Sequence, residues 1–196
     1  MTGTLIGVDL WLFFHINGQW HTGFLDAVLP WMRNPYFWAP LYMFLLVFMV
    51  LQFRIRGVWW LLFFLGTFGI TDSISSHLIK FWVKRLRPCN DPLTAHFTRM
   101  LVPCGSGLSF PSSHAANHFG LAMFIWISLH RLLGPWVSVA FFWAFLVSYS
   151  QIYVGLHYPA DVLAGAVLGL MAGWATGTIF LRVMGGDTFS PLENRA

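Results

Sequence analysis

Five apolar segments, each close to the length that crosses a bilayer, limit what this chain can fold into. They cover residues 34–53, 58–79, 115–129, 135–154 and 162–181 and are separated by polar joints. A helix needs roughly 20 apolar residues to span a membrane, and the third segment approaches that length when it is extended back to Ser112. Charged residues make up only 9% of the chain, against about 25% in soluble domains. We therefore predict an all-α integral membrane helical bundle with about five transmembrane helices.

The two ends of the chain differ from these spans. Residues 1–33 are apolar but are interrupted by Asp9, Asn17 and Asp26, a pattern that favours an N-terminal interfacial helix and turn over a sixth span. Residues 183–196 are predicted to form a short tail. We expect a single membrane-embedded domain that takes in all of residues 1–196.

Both cysteines, Cys89 and Cys104, lie in the one long connection, at residues 87–110. A disulfide between them would close a loop of about 15 residues and stabilise the fold by on the order of 3 kcal/mol. Such a bridge would imply an oxidising compartment, whereas two unpaired thiols are the alternative. Lys and Arg occur on both sides of the predicted bundle, so the positive-inside rule leaves its orientation open.

The first of three polar clusters is KFWVKRLRP, residues 80–88. Lys80, Lys84 and Arg87 are spaced at i, i+4 and i+7, which predicts that they share one helical face. The helix dipole and snorkelling to the membrane interface both favour cations at the end of a span. Alone, this cluster is therefore as compatible with anchoring as with chemistry.

The second cluster is PSSHAANH, residues 111–118. Pro-Ser-Ser before an apolar run is typical of a helix N-cap, and the free N–H groups of such a terminus also favour anions. His114 would stand in the first turn, beside that anion site. His118 lies one turn further in and is predicted to be a packed or hydrogen-bonded histidine.

The third cluster is SQIYVGLHYPAD, residues 150–161. Pro159 is well placed to begin the last helix, which puts Asp161 in its first turn, where the dipole favours a carboxylate. His157 precedes that helix. If the carboxylate binds one ring nitrogen, it fixes the tautomer and makes the other nitrogen a better nucleophile.

Together the clusters supply cations, a helix N-terminus and two histidines, one of them paired to an acid. These are the components that phosphoryl transfer needs: charge neutralisation, a nucleophile and a proton donor for the leaving oxygen. The sequence has neither the carboxylate cluster of a Mg²⁺ site nor Cys and His at zinc spacing. We therefore expect no metal and no other cofactor.

The three clusters resemble the signature of the type-2 phosphatidic acid phosphatase superfamily, the membrane lipid phosphate phosphatases. That signature is K-x6-R-P, then P-S-G-H, then S-R-x5-H-x3-D, and both the order and the internal spacings match here. The resemblance implies that His157 attacks phosphorus, that Asp161 orients it and that His114 protonates the leaving oxygen. It also implies that the phosphate oxygens are bound by Lys80, Arg87, Ser112 and the amide of Ser113.

Two positions depart from the family pattern. Ser113 replaces a glycine; its amide can still bind phosphate, although the loop loses conformational freedom. Gln151 replaces an arginine and offers one amide hydrogen bond without a charge or a guanidinium fork. We expect Gln151 to contact phosphate, with Lys84 or Arg85 as candidates to supply the missing charge.

The resemblance implies dephosphorylation of a membrane lipid phosphate or diphosphate through a phosphohistidine. Undecaprenyl diphosphate, converted to undecaprenyl phosphate, is the favoured substrate. Phosphatidylglycerol phosphate, phosphatidic acid and the phosphates of lipid A are alternatives. Transfer of the phosphoryl group to a second lipid is another possibility, and Gln151 favours a further one, a non-catalytic lipid phosphate transporter or binding protein.

These inferences place the protein in a bacterial inner membrane, with its active site facing the periplasm or the outside. The expected partners are the bilayer and the lipid phosphate substrate. No nucleic-acid partner is expected, and the sequence leaves the oligomeric state open.

Overall fold

The chain is helical throughout the part that the computed structural model describes, residues 2–185 and residue 189, and no strand occurs there. The helices are α1 (Thr2–Phe14), α2 (Gly23–Met32), α3 (Pro35–Phe53), α4 (Ile55–Ser73), α5 (Lys80–Val83), α6 (Ser113–Leu133), α7 (Val139–Tyr153) and α8 (Pro159–Met184). A π-helical turn, Ile74–Ile79, joins α4 to α5, and a second one, His15–Gln19, follows α1. Short 3₁₀ turns occupy Ala95–Phe97 and Gly134–Ser138.

Four continuous helical stretches are long and apolar enough to cross a membrane: Pro35–Phe53, Ile55–Val83, Ser113–Tyr153 and Pro159–Met184. The third is 41 residues long, about twice what one span needs. It bends at Gly134, whose φ of +57° ends α6 before the 3₁₀ turn begins. The predicted all-α membrane bundle is confirmed. The structure has four such stretches, and the length of the third brings the number of crossings close to the predicted five.

The outer surface of the bundle is apolar. Large hydrophobic side chains lie exposed along α3, α4, α7 and α8, among them Tyr36, Leu51, Trp59, Phe145 and Trp174, whereas α6 lies inside the bundle. A soluble protein rarely exposes so continuous an apolar surface, whereas the hydrocarbon core of a bilayer matches it.

The N-terminal segment forms two short helices, α1 and α2, neither of which is among the candidate spans. Its three polar interruptions all bind the rest of the chain. Asp9 pairs with Arg85, Asn17 donates to two backbone carbonyls, and Asp26 pairs with Arg99. The segment is thus fixed to the bundle by polar side chains. At the other end, α8 continues to Met184 and so includes the first two residues of the predicted tail, 183–196. Of the rest of that tail, only Gly185 and Phe189 are among the described residues.

The prediction that Lys80, Lys84 and Arg87 share one helical face is wrong. Helix α5 ends at Val83, and Lys84 adopts a left-handed conformation with φ of 52°. The chain therefore leaves the helix axis before it reaches Arg87. Lys84 is exposed, with its ammonium group over the Phe81 ring.

Helices α6 and α8 pack most closely, through glycines spaced four residues apart on α8: Gly165, Gly169, Gly173 and Gly177. A β-carbon at Gly169 would overlap the Ala116 carbonyl of α6. Small residues at such spacing let two membrane helices approach to backbone contact. Because α6 begins with the second polar cluster and α8 with the end of the third, this contact fixes the two clusters relative to each other.

This packing predicts that Gly169→Ala destabilises the protein. The added methyl group must push α6 and α8 apart, and overpacking typically costs about 1–3 kcal/mol. Gly66→Ala is the matched control, because a β-carbon at Gly66 on α4 meets no atom within 4 Å. We expect the thermal unfolding temperature in detergent to fall for Gly169→Ala and to hold or rise for Gly66→Ala. Equal behaviour of the two variants would contradict the close α6–α8 contact.

The long connection between α5 and α6 folds over one end of the bundle. Cys89 and Cys104 form a disulfide within it, so the predicted bridge is present and the alternative of two thiols is wrong. Asn90 donates to the Gly105 carbonyl, and Arg87 donates to the Gly107 carbonyl. These contacts hold the two arms of the loop together, and the Ser109 hydroxyl joins the loop to Asp161 at the start of α8.

Candidate active site

The three polar clusters meet at the end of the bundle where α6 and α8 begin. The Lys80 ammonium lies 3.1 Å from the Ser113 hydroxyl, which joins the first cluster to the second. The Ser112 N–H donates to the Asp161 carbonyl at 2.9 Å, which joins the second to the third. The fold thus brings together residues that are up to 81 positions apart in the sequence.

Asp161 is fully buried in the first turn of α8, and several donors hold its carboxylate. One oxygen accepts the Tyr158 N–H at 2.9 Å and a short hydrogen bond from the Ser109 hydroxyl. The other oxygen accepts from the Arg85 guanidinium at 2.8 Å. A carboxylate with this many donors has a fixed position and stays charged, which suits the orienting role implied for it.

His157 is 2% exposed and lies between α7 and α8. Its Nδ1 is 3.6 Å from the Asp161 carboxylate and 3.4 Å from the Ser109 hydroxyl. The first distance exceeds that of a direct hydrogen bond. Because the Ser109 hydroxyl donates to Asp161, its oxygen remains free to accept a hydrogen bond from Nδ1–H. This arrangement favours the tautomer that leaves Nε2 unprotonated and available for attack.

Burial lowers the pKa of His157, while the Asp161 carboxylate acts in the opposite direction. The positive charges of Arg87 and Lys80 lower it further. The imidazole therefore stays neutral at neutral pH, as a nucleophile must. The same two cations would also attract the phosphate that His157 is to attack.

His114 stands in the first turn of α6, with Ser112 as the N-cap. Its carbonyl accepts from the ring of His118, which also contacts the Tyr42 hydroxyl at 3.3 Å. His118 packs against the Trp143 indole. These contacts match the expectation that His118 is a packed, hydrogen-bonded residue, and the catalytic role of His114 stays a prediction.

The hydroxyl of Ser113, the residue that replaces a glycine, takes part in a polar chain. It lies 2.8 Å from the Ser76 hydroxyl, and Ser76 in turn donates to Asp72 at 3.4 Å. The Ser113 hydroxyl therefore contacts both Ser76 and Lys80. The serine positions the ammonium group next to the start of α6.

Arg87 lies in the loop after α5, where Nε donates to the Gly107 carbonyl at 3.0 Å. Its guanidinium covers Gly105. Ser112 is fully buried, and its oxygen accepts the Ala115 N–H. Its hydroxyl proton remains free to bind an anion. Both residues border the site, and their binding of phosphate stays a prediction.

Gln151 is fully buried on α7, and its side-chain oxygen accepts from the Arg33 Nε at 3.4 Å. Neither Lys84 nor Arg85 supplies the charge that this position lacks. Lys84 is exposed above Phe81, and Arg85 is held between Asp9 and Asp161. The expectation that one of them compensates is therefore wrong for both.

Sequence analysis did not assign three residues that border the site: Asp9, Arg33 and Ser109. It named Arg85 only as a candidate charge for the Gln151 position, not as the partner of Asp161. Ser109 sits near motif residues, but the motif spacing gives no reason to choose it over its neighbours. Asp9 and Arg33 come from the N-terminal segment, where a charge within an apolar stretch was the only signal. Asp9 accepts from the Ala160 N–H and from Arg85, so it supports the start of α8.

Among the described residues, no three His, Cys, Asp or Glu side chains gather in a way that suits a metal ion. The cations present are instead Lys80, Arg87 and Arg33. Such a set can bind a phosphate directly through charge-assisted hydrogen bonds. The expected absence of a cofactor stays a prediction.

A cavity of about 510 Å³ opens between α3, α4 and α6 and reaches the site. It is lined mainly by apolar side chains, with Ser113, His114, Asn117, His118 and Asp72 at its polar end. The cavity therefore connects a lipid-like space to His114. His157 is not part of its lining.

Comparison with known proteins gives one family. Residues 57–184 match the model of the PAP2 superfamily. The chain is 34% identical over 174 residues to a lipid A 4'-phosphatase of Bacteroides thetaiotaomicron, which covers 87% of this chain and 76% of that protein. It is 31% identical over 109 residues to the undecaprenyl-diphosphatase BcrC of Bacillus subtilis, covering 56% of this chain and 52% of that protein.

Among solved structures, a transmembrane PAP2-type phosphatidylglycerolphosphate phosphatase from Bacillus subtilis has the same fold. The two superpose with a TM-score of 0.70 at 24% identity, over 92% of this chain and 88% of the other.

Proposed function

This chain belongs to the PAP2 superfamily, and from that membership we propose that it hydrolyses a membrane lipid phosphate through a phosphohistidine at His157. It is a lipid phosphate phosphatase of the membrane. The observation that carries the mechanism is the His157 environment: a buried, neutral imidazole whose Nδ1 faces Ser109 and Asp161. That geometry leaves Nε2 as the attacking atom.

The remaining residues take the roles that their positions allow. Lys80, Arg87 and Ser112, with the Ser113 amide, bind the phosphate oxygens, and Gln151 donates one further hydrogen bond. His114 protonates the leaving oxygen and then activates the water that releases phosphate from His157. All of residues 1–196 act as one phosphatase domain, in which the N-terminal segment braces the site.

The apolar cavity supports the choice of a lipid substrate. The leaving oxygen stays attached to the lipid, so its proton donor must stand on the lipid side of the phosphate. His114 lines the cavity and His157 does not. An acyl or prenyl chain in the cavity would therefore place the scissile bond between the two histidines.

We rank lipid A phosphate as the first substrate and undecaprenyl diphosphate, which the sequence favoured, as the second. The lipid A 4'-phosphatase of Bacteroides aligns over 87% of the chain and the undecaprenyl-diphosphatase of Bacillus over 56%. The first of these matches covers the larger share of the chain.

The site is proposed to face the periplasm of a bacterial inner membrane. The loop that carries Arg87 and Ser109 also carries the Cys89–Cys104 disulfide. Disulfides persist in oxidising compartments, so the loop and the site beside it belong on the non-cytoplasmic side.

The experiment is a panel of lipid phosphates in detergent with a metal chelator present. We expect free inorganic phosphate from lipid A and, more slowly, from undecaprenyl diphosphate, phosphatidylglycerol phosphate or phosphatidic acid. Phosphate that appears on a second lipid instead of in solution would establish a phosphotransferase. Lipid binding without either product would establish a non-catalytic binding protein, and turnover that stops with the chelator would overturn the metal-free mechanism.

A further inference from the structure

We propose that Arg33 supplies the guanidinium that the third cluster lacks, so that the Arg33 guanidinium and the Gln151 amide together donate hydrogen bonds to the oxygens of one phosphate. This inference rests on the proposed function, because it assigns a phosphate ligand to the same site. It adds a specificity-determining residue that lies outside the span matched by the family model, residues 57–184.

Arg33 reaches the site from the N-terminal segment. It is the C-cap of α2 and is half-buried where α2 lies against α7. Its Nε donates to the Gln151 oxygen at 3.4 Å, across 118 positions of sequence. The fold thus places a guanidinium next to the side chain that replaces the family's arginine.

Gln151 is prepared to donate. A guanidinium has only donors, so the amide atom that faces Arg33 must be the oxygen. The amide nitrogen is left fully buried and without a hydrogen-bond partner. An unsatisfied buried donor costs about 1–3 kcal/mol, and a bound phosphate oxygen would satisfy it.

Arg33 also lacks a counter-ion. No carboxylate pairs with it anywhere in the described part of the chain, whereas Arg85 binds two carboxylates and Arg99 binds one. Burial and the nearby positive charge of Arg87 lower its pKa. Cations that crowd together without an acid between them create a site for an anion.

Arg33 and Gln151 therefore act as one unit. In the family pattern, a single arginine at the Gln151 position supplies both the positive charge and the paired N–H donors of a guanidinium. Here Arg33, at the end of α2, supplies the charge, and Gln151 on α7 is a neutral donor. The pair Arg33–Gln151 offers the same number of charges to phosphate, carried on two helices. Phosphate binding consequently depends on how α2 packs against α7.

The test uses orthovanadate binding by titration calorimetry on the purified full-length protein, which requires no turnover. Arg33→Gln is expected to weaken vanadate binding by about 10- to 100-fold, the range for losing a charge-assisted hydrogen bond. Arg33→Lys keeps the charge without the fork and should fall between Arg33→Gln and the wild type. Arg54→Gln, an exposed arginine after α3, is the control and should bind normally.

The exchange variant Arg33→Gln/Gln151→Arg separates a direct role from a structural one. It returns the guanidinium to α7, so it should recover most of the affinity that Arg33→Gln loses. Gln151→Arg alone sets two guanidinium groups side by side and should gain little. In lipid hydrolysis, Arg33→Gln should raise KM more than it lowers kcat.

Normal vanadate affinity in Arg33→Gln, or an exchange variant that binds no better than Arg33→Gln, would overturn the proposal. If Arg33→Gln fails to fold, Arg33→Lys still tests the proposal. A folded Arg33→Lys protein that binds vanadate as tightly as the wild type would contradict the need for a guanidinium. Failure of the proposed function gives a different pattern. If the proposed function is wrong, the wild type releases no phosphate from any lipid, while the vanadate affinities of the Arg33 variants still test whether Arg33 binds the anion.

Discussion

His157→Ala is expected to reduce phosphate release from a lipid phosphate by on the order of 10⁴-fold or more, because it removes the attacking atom. Lipid and vanadate binding should persist, since the cations and the start of α6 remain. The measurement is inorganic phosphate release under single-turnover conditions. It should accompany a vanadate titration of the same protein preparation.

His96→Ala is the control for this substitution, because His96 is an exposed histidine in the long connection. It should hydrolyse lipid at the wild-type rate. Turnover of His157→Ala within tenfold of the wild type would contradict the assignment of the nucleophile. Loss of vanadate binding together with turnover would instead point to a collapsed site.

His114→Ala is expected to slow hydrolysis of a lipid phosphate monoester by about 10²–10⁴-fold, the usual contribution of a general acid. The leaving oxygen of a lipid alcohol needs a proton, and His114 lines the cavity that would hold that lipid. An aryl phosphate with a good leaving group needs little protonation. Its rate of phosphoryl transfer to His157 should therefore fall much less.

The ratio of the two losses is the decisive quantity, and each substrate serves as the control for the other. The first step should be followed by release of the aryl alcohol, because His114 also acts in the later hydrolysis of the phosphohistidine. Equal losses for the lipid and the aryl phosphate would contradict the general-acid role. They would indicate that His114 supports the structure of the α6 N-terminus.

The spans and the helix starts were predictable because their signals are local. Apolar length gave α3, α4, α6, α7 and α8. Pro159 at the first position of α8 and Ser112 as the cap of α6 follow from ordinary terminal preferences. The positions of His114, just inside a helix, and of His157, just before one, follow from these starts.

The contacts that complete the site were not predictable, because they depend on tertiary packing. Lys84 adopts a left-handed conformation that takes Arg87 off the helical face of Lys80. The sequence has no glycine at this position from which such a turn could be predicted. The glycines of α8 lie at a four-residue spacing, but the sequence does not tell which helix packs against them; the structure shows that it is α6. Nothing in the sequence connects Arg33 to Gln151, since a charge after a short apolar segment is compatible with simple anchoring.

The phosphohistidine itself provides the most direct test of the central claim. Purified protein would be mixed with a ³²P-labelled lipid phosphate in the presence of chelator, quenched in alkali within the first turnover, and digested for peptide mapping. We predict an acid-labile, alkali-stable label on His157 that forms and decays at rates compatible with turnover, and that is absent from His157→Ala. Single-turnover release of labelled phosphate with no label on the protein, or a label on a different residue, would contradict the mechanism.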